Sequence, residues 1–194
     1  MIQLTRRAAV KAMMALAAVA GAAPAGEWTG AVDVRHDFKR CVSYRARLAG
    51  EYLVVQAVPE PGWHTFAMDN KQRAEEKLAG RPALAVDSPT EISLSHGLEA
   101  AGPWQQSPPK DFSRPELQLF TWGFDGPTLF AAKVRRAGAG PAQIAVSGQA
   151  CTETICKKID VTITLPLAGG SGDADASGLD LNTLVRVRGG KLRN

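Results

Sequence analysis

The chain has 194 residues, a formal net charge of +4, 45% hydrophobic residues and three cysteines. This length suits one compact domain with its own core, and three cysteines are too few for a disulfide scaffold that replaces a core. The sequence contains no block of Lys and Arg interleaved with aromatic residues, which would indicate nucleic-acid binding. No phosphate loop, serine elbow or His-Glu-x-x-His motif indicates nucleotide or hydrolase chemistry.

Residues 1–25 have the order of a secretory signal peptide. Three basic residues precede an apolar run, and the small-residue sequence Ala23-Pro24-Ala25 follows it. The run is too short to span a membrane, so we expect cleavage after Ala25, a periplasmic location and no stable membrane span afterwards. The paired arginine also resembles a twin-arginine signal, so the sequence does not distinguish Sec export from twin-arginine export. Without this segment, which has no acidic side chain, the net charge falls to +1.

From residue 41 onward, short runs of alternating polarity are separated by turn residues, which predicts a β-sandwich. One helix is expected in the segment DNKQRAEEKLAG, where Asp69 or Asn70 caps the start and Gly80 supplies a left-handed stop. A single helix inserted among strands does not change the fold class. The predicted strands lie near residues 41–48, 51–58, 63–67, 90–95, 116–122, 128–135, 142–150 and 158–167.

Two segments are not predicted as regular strands. Residues 97–115 are rich in Gly, Pro and Ser and hold Trp104 and Phe112, so they form either a functional or mobile loop or a plain connection whose aromatic side chains pack into a satellite core. Residues 168–178 read as a flexible linker, and the tail after them is either a last edge strand or disordered. The predicted division is a signal peptide (1–25), a sandwich domain (26–167), and a linker with a short tail (168–194).

Cys151 and Cys156 lie in the stretch SGQACTETICKKIDVTITLPL, between two predicted strands. An antiparallel hairpin that sets them opposite each other pairs residues whose numbers sum to 307. In this register one face is apolar on both strands, with Ile144 opposite Ile163, and the other face is polar. Opposed residues have Cα atoms about 4.5 to 5.5 Å apart, so a disulfide is sterically available, with both sulfurs on the polar face.

Three interpretations of this cysteine pair stay open. Lys157 and Lys158 follow Cys156, and a nearby positive charge favours the thiolate that attacks disulfides, so the pair is a candidate for exchange. The second interpretation is a structural disulfide in an exported, non-redox β-sandwich that serves as a binding or interaction module. The third is Cu(I) binding by the two cysteines with His64 and Met68, although no local ligand cluster in the sequence supports a metal site.

The stretches GQACTETIC and PEPGWHTFAMDN, with the strands and long loop between them, resemble the amino-terminal periplasmic domain of the DsbD family of thiol:disulfide interchange proteins. The resemblance runs from about residue 41 to 167. It implies an immunoglobulin-like sandwich in which Cys151 and Cys156 cycle between dithiol and disulfide. By analogy Cys156 enters mixed disulfides and Cys151 resolves them. A cap loop with an acidic residue and a phenylalanine is also implied, and Asp111 and Phe112 are the candidates.

The activity implied by this resemblance is thiol-disulfide exchange between a membrane or thioredoxin-like donor and exported disulfide-containing proteins, without a cofactor; whether the chain is itself an enzyme stays open. No thioredoxin-like Cys-x-x-Cys motif follows in the sequence, so the donor is expected to be a separate protein. The chain departs from the family in having Lys157 and Lys158 where an aromatic residue and prolines are usual, and Ser147 where a tyrosine is common. Cys41 has no family counterpart, and it is either a buried thiol or an intermolecular partner.

Overall fold

The computed structural model describes residues 26–79, 87–167 and 179–189. The predicted signal peptide, the helix stop at Gly80 and the linker 168–178 lie outside these ranges. Within them the regular elements, in chain order, are β1 (Val32–His36), β2 (Lys39–Ala49), β3 (Tyr52–Pro59), β4 (His64–Phe66), α1 (Asn70–Lys77), β5 (Glu91–His96), β6 (Leu98–Ala100), β7 (Gln105–Gln106), β8 (Lys110–Asp111), β9 (Trp122–Phe124), β10 (Thr128–Arg136), β11 (Ala142–Cys151), β12 (Cys156–Leu165) and β13 (Val185–Arg186).

The strands of the described ranges form two antiparallel sheets that enclose one apolar core. The first sheet has the order β1-β2-β3-β10-β7-β13, with β6 also on β10, and the second has the order β12-β11-β4-β9-β8, with β5 on β11. The largest fully buried side chains between them include Tyr44, Leu53, Phe130, Ile144 and Ile163. These two sheets and the single helix among the described residues confirm the predicted all-β, immunoglobulin-like sandwich with one inserted helix.

The hairpin of β11 and β12 has the predicted register along its whole length, from Ala142 opposite Leu165 to Cys151 opposite Cys156. Even-numbered residues of β11, such as Ile144, enter the core together with odd-numbered residues of β12. The opposite face is polar. A slip of one residue would carry the apolar side chains of one strand to that polar face, so the hydrophobic pattern supports this pairing.

The strand predicted at 116–122 is wrong. Pro115–Leu117 forms a 3-10 turn that ends at Gln118 in the left-handed conformation, and β9 begins only at Trp122. Proline has no amide donor for a strand ladder and its fixed φ suits the first position of a helical turn. Leu117 is 64% exposed, so it does not face the core, whereas Trp122 at the other end of the predicted strand packs against it.

Residues 97–115 are not one irregular loop, because they contain the short strands β6, β7 and β8. Trp104, at 8% exposed, belongs to the main core, whereas Phe112 is half-buried outside it. The tail adopts the edge-strand alternative: Val185 of β13 pairs with Gln106 of β7, and Val187 packs into the core. Among the described residues no helix is both long enough and apolar enough to cross a membrane.

Asp69 stands at the N-cap position of α1, but its side chain makes no hydrogen bond to that helix terminus, contrary to the predicted cap. The carboxylate is buried and accepts hydrogen bonds from Arg73 Nε (2.8 Å), Gln106 Nε2 (2.7 Å) and the backbone N–H of Arg188 (3.1 Å). These donors lie on α1, on β7 and just after β13. Asp69 therefore ties the helix and the tail to the first sheet.

We expect Asp69→Asn to lower the free energy of unfolding by about 2 kcal/mol at neutral pH, because an amide cannot accept from all three donors. Burial alone would raise the pKa of Asp69, but the bonds from Arg73, the Arg188 N–H and Gln106 outweigh it and hold that pKa below 3.8. The stabilisation is therefore complete above about pH 4 and is lost as the pH falls through the lowered pKa. Urea unfolding of the wild type and of Asp69→Asn across this pH range measures the difference in the free energy of unfolding. A difference that does not change with pH would contradict stabilisation by the Asp69 carboxylate.

Candidate functional site

Cys151 and Cys156 form a disulfide at the end of the β11–β12 hairpin, with their Cα atoms 4.1 Å apart. The residues between them continue the ladder, since the Thr152 N–H donates to the Ile155 carbonyl (2.8 Å). The Thr152 hydroxyl oxygen also accepts hydrogen bonds from the N–H groups of Thr154 (3.2 Å) and Ile155 (3.1 Å). This side chain closes a tight turn that holds the two strand ends together.

The two cysteines differ in exposure. Cys156 is exposed, whereas Cys151 is only 3% exposed. Cys151 is not one of the core residues between the sheets, in agreement with the prediction that its side chain lies on the polar face of the hairpin. A second layer that covers this face therefore buries it. A position on the polar face therefore leaves Cys156 accessible to a partner and Cys151 not.

Aromatic rings form part of this second layer. His64 on β4 is directly opposite Cys151, and its imidazole lies 5.2 Å from the ring of Phe112 and 5.2 Å from that of Phe66. Phe66 is 1% exposed although it lies outside the main core. Burial lowers the pKa of His64 below 6.5, and the Asp87 carboxylate opposes this only in part. The imidazole beside Cys151 is therefore neutral at neutral pH.

Asp87 brings a carboxylate to the disulfide, since one of its side-chain oxygens lies within 4.8 Å of both sulfurs. The buried Asn70 holds this residue: its Nδ2 donates to the Asp87 carbonyl (3.1 Å) and its Oδ1 accepts from the Trp122 N–H (2.7 Å). The Thr121 hydroxyl lies 3.2 Å from an Asp87 carboxylate oxygen and 3.3 Å from Asn70 Oδ1, so it donates to one of them at a time. The acidic group is thus anchored from the start of α1 and from the segment that enters β9.

Gly148 allows the chain segment after Asp87 to approach β11. Its φ is +144°, and a Cβ atom at this position would lie 2.8 Å from the carbonyl oxygen of Pro89. The neighbouring Gln149 side chain accepts a hydrogen bond from the Ser88 N–H (2.9 Å). Ser88 and Pro89 follow Asp87 directly, so the place of its carboxylate beside the sulfurs depends on this close approach.

Comparisons with known proteins find likeness in structure only, since no family profile and no curated protein sequence matches the chain. The N-terminal domain of DsbD from Neisseria meningitidis, in the reduced form, is similar with a TM-score of 0.46 and 12% identity; the match covers 66% of this chain and 87% of that one. The GAE domain of GGA2p from Saccharomyces cerevisiae is similar with a TM-score of 0.35 and 9% identity, covering 71% of this chain and 98% of that one. Both likenesses concern the arrangement of strands and carry no information on activity.

The two lysines after Cys156 make other contacts. Lys158 forms an ion pair with Asp160 (3.1 Å) in which both side chains are 75% exposed. Burial raises the pKa of the Cys41 thiol, and the charge of Lys157 opposes this only in part. Thiolate tuning by these lysines stays a prediction. Cys41 is fully buried and unbridged, in agreement with the first of its two interpretations.

The two cap-loop candidates occupy different positions. Phe112 lies against His64, next to Cys151, whereas Asp111 is exposed and its carboxylate accepts a hydrogen bond from the Ser113 N–H (2.8 Å). The carboxylate beside the sulfurs belongs instead to Asp87, which no sequence motif indicated. Its segment, Asp-Ser-Pro-Thr, reads only as a turn before a strand.

The ligand set proposed for Cu(I) is not brought together as predicted. Met68 lies four residues beyond His64 and lines a separate groove beside α1. Three ligand atoms, from Asp87, Cys151 and Cys156, lie within 4.8 Å of one another. Both sulfurs become available as thiolate ligands only when the disulfide is reduced.

Proposed function

We propose that the chain is a periplasmic thiol-disulfide exchange domain, which passes reducing equivalents between a membrane or thioredoxin-like donor and exported disulfide-containing proteins. The observation that carries this proposal is the asymmetry of the disulfide. Cys156 is exposed at a hairpin turn, whereas Cys151 is buried beside His64 and Asp87. The sequence resemblance to DsbD amino-terminal domains and the predicted signal peptide support it.

Reduction of the pair begins at Cys156, because an incoming thiolate reaches this sulfur and not that of Cys151. The donor thiolate forms a bond to Cys156 Sγ, the Cys151–Cys156 bond breaks, and its electron pair leaves on Cys151 as a thiolate. A second donor thiolate then attacks the donor sulfur of the mixed disulfide and releases the Cys156 thiolate. Two electrons have moved: the donor is oxidised to a disulfide and the domain is reduced to a dithiol.

Transfer to a client protein reverses these roles. The Cys156 thiolate attacks a client disulfide, forms a mixed disulfide and releases one client thiolate. Cys151 then attacks Cys156 Sγ, which restores the original bond and releases the second client thiolate. Because the two Cα atoms are 4.1 Å apart in a continuous ladder, this second step is intramolecular and needs no rearrangement of the backbone.

Two neighbours of the pair control its protons. The neutral imidazole of His64, opposite Cys151, can accept the proton that the Cys151 thiol must lose before it attacks. The Asp87 carboxylate disfavours a second negative charge nearby and so favours the protonated dithiol. The carboxylate therefore lowers the reactivity of the reduced pair until a partner covers the site and changes the surroundings of Cys156.

The reduction potential of the pair tests the proposed function. Inert structural disulfides of exported proteins have potentials below about −300 mV, and labile or catalytic ones lie above this value. We expect the Cys151–Cys156 pair to equilibrate in dithiothreitol and glutathione redox buffers above about −300 mV. Mass spectrometry after alkylation measures the reduced fraction. A lower potential, together with no exchange with thioredoxin, would contradict the proposal.

A non-redox binding module is the second candidate function, and a groove of about 680 Å³ beside α1 favours it. Met68, Trp104 and Val187 contribute to its lining, and neither cysteine of the disulfide does. This function predicts that a Cys151→Ser, Cys156→Ser double variant folds and still binds its partner. Exchange predicts that the same variant folds and transfers no electrons, so the two functions separate in one protein.

A further inference from the structure

The β1–β2 hairpin ends in an exposed aromatic residue with an unfavourable backbone conformation. Asp37 and Phe38 form its two-residue turn with φ values of +47° and +64°, and Phe38 is 96% exposed. Such turns favour Asn and Gly, because a bulky side chain is strained in the left-handed region. Phe38 therefore destabilises the turn and contributes almost no packing. A residue with both properties points to a role in binding.

The turn lies at the same end of the molecule as the disulfide, as the second sheet shows. The ring of His36, the last residue of β1, lies 6.3 Å from the ring of Trp63. Trp63 directly precedes His64, which is the residue opposite Cys151.

The first sheet gives the same location independently. Strands β1 and β2 both contact β12, the strand that begins at Cys156. The charge of Lys157, which directly follows Cys156, acts on the thiol of Cys41, three residues after Phe38. The ring contact of His36 with Trp63 and the strand contacts with β12 thus place the turn at the end of the molecule that holds the exposed sulfur.

Other features of this end suit a protein partner. Ile155, directly before Cys156, is a second large apolar side chain at the surface, at 46% exposed. A cleft of about 450 Å³ runs beside the hairpin, and three cationic side chains and one carboxylate line it together with two apolar residues: Arg35, Lys39, Arg40, Glu60, Pro61 and Trp63. Arg35 and Arg40 already form ion pairs with Asp33 and Glu60, so the charges of the cleft are largely balanced. An apolar surface that carries a reactive thiol would complement this end of the molecule.

We propose that Phe38 and Ile155 form an apolar docking surface around Cys156 for a thioredoxin-like domain that presents its own cysteine pair from an apolar surface. This inference rests on the proposed function and specifies how the partner is recognised. A folded protein that delivers a sulfur to Cys156 covers roughly 800 Å² of this end of the molecule, a footprint that takes in the hairpin turn. A small thiol reaches Cys156 without touching Phe38.

Phe38→Gly tests the docking surface with two readouts of opposite sign. Glycine fits the left-handed turn, so the variant should unfold at a temperature about 2 to 4 °C higher than the wild type. Reduction by thioredoxin should be about tenfold slower, because the aromatic contact is lost. Reduction by dithiothreitol should be unchanged. A purely structural role for Phe38 would instead lower the unfolding temperature.

His96→Gly is the matched control. His96 is also exposed with a φ of +64°, but it is opposite Ala142, at the end of β11 remote from Cys151. The variant should gain a similar amount of thermal stability and keep the wild-type rates with both reductants.

Each outcome decides between docking and exchange. Phe38→Gly reduced by thioredoxin at the wild-type rate overturns the docking surface and leaves exchange intact. So does a wild-type protein that thioredoxin reduces no faster than dithiothreitol at equal thiol concentration, or a variant that reacts more slowly with both reductants. A disulfide that neither reductant opens overturns the proposed function itself.

Discussion

A Cys151→Ser variant is expected to accumulate mixed disulfides at Cys156 and to lose turnover at least about 100-fold. Cys156 keeps its exposed position in this variant, so it still attacks or is attacked. The neighbour that resolves the adduct is missing, and an external thiol replaces an intramolecular one whose effective concentration is far higher. Incubation with oxidised glutathione or thioredoxin, followed by mass spectrometry of the intact protein, measures the adduct.

Cys156→Ser is the matched variant, and it should form adducts at least about tenfold more slowly, because the thiolate that remains is buried and has poor access to partners. Cys151 is 3% exposed, with His64 directly opposite it on β4. The fully buried Cys41, present in both variants, serves as an internal reference that should stay unmodified. Equal rates of adduct formation in the two variants would show that burial does not decide which sulfur reacts.

The sandwich was predictable from alternation of polarity, and the register of the β11–β12 hairpin from the opposed cysteines together with a shared apolar face. Ile144 and Ile163 meet on one face only when Cys151 faces Cys156, and the structure has this pairing. The same reasoning failed at 116–122, where Pro115 starts a 3-10 turn. It also missed β1, since the Asp-Phe turn after it lacks the Asn or Gly that marks a hairpin in sequence.

The sequence predicted the cysteine pair of the candidate site, but not the residues that pack over Cys151. The alternation of side chains along β11 placed Cys151 on the polar face of the sheet. This alternation carries no information on which residues pack over that face. The cover comes from residues distant in the chain. Asn70, Asp87 and Thr121 meet through hydrogen bonds that no local motif records. Register is a property of two strands, whereas burial of a sulfur depends on the tertiary fold.

Gly148→Ala is expected to have the largest effect on this cover. The substitution places a methyl group 2.8 Å from the Pro89 carbonyl at a φ of +144°, so the free energy of unfolding should fall by roughly 2 to 4 kcal/mol. The segment after Asp87 must move away from β11 to relieve the clash. Cys151 should then react faster with iodoacetamide in the reduced protein, while Cys156 should react at its former rate.

Gly62→Ala is the control that distinguishes the steric clash at Gly148 from the strain of placing alanine at a positive φ. Gly62 also has a positive φ, +83°, but nothing lies within 4 Å of a Cβ atom there, so its replacement should cost only about 1 kcal/mol and leave Cys151 protected. Urea unfolding gives the stabilities, and the alkylation rate of each cysteine comes from mass spectrometry of its peptide. Cys151 that stays as slow in Gly148→Ala as in Gly62→Ala would show that the 87–90 segment does not protect it. Protection would then rest on the rings of His64 and Phe112, and Phe112→Ala would be the variant that exposes the sulfur.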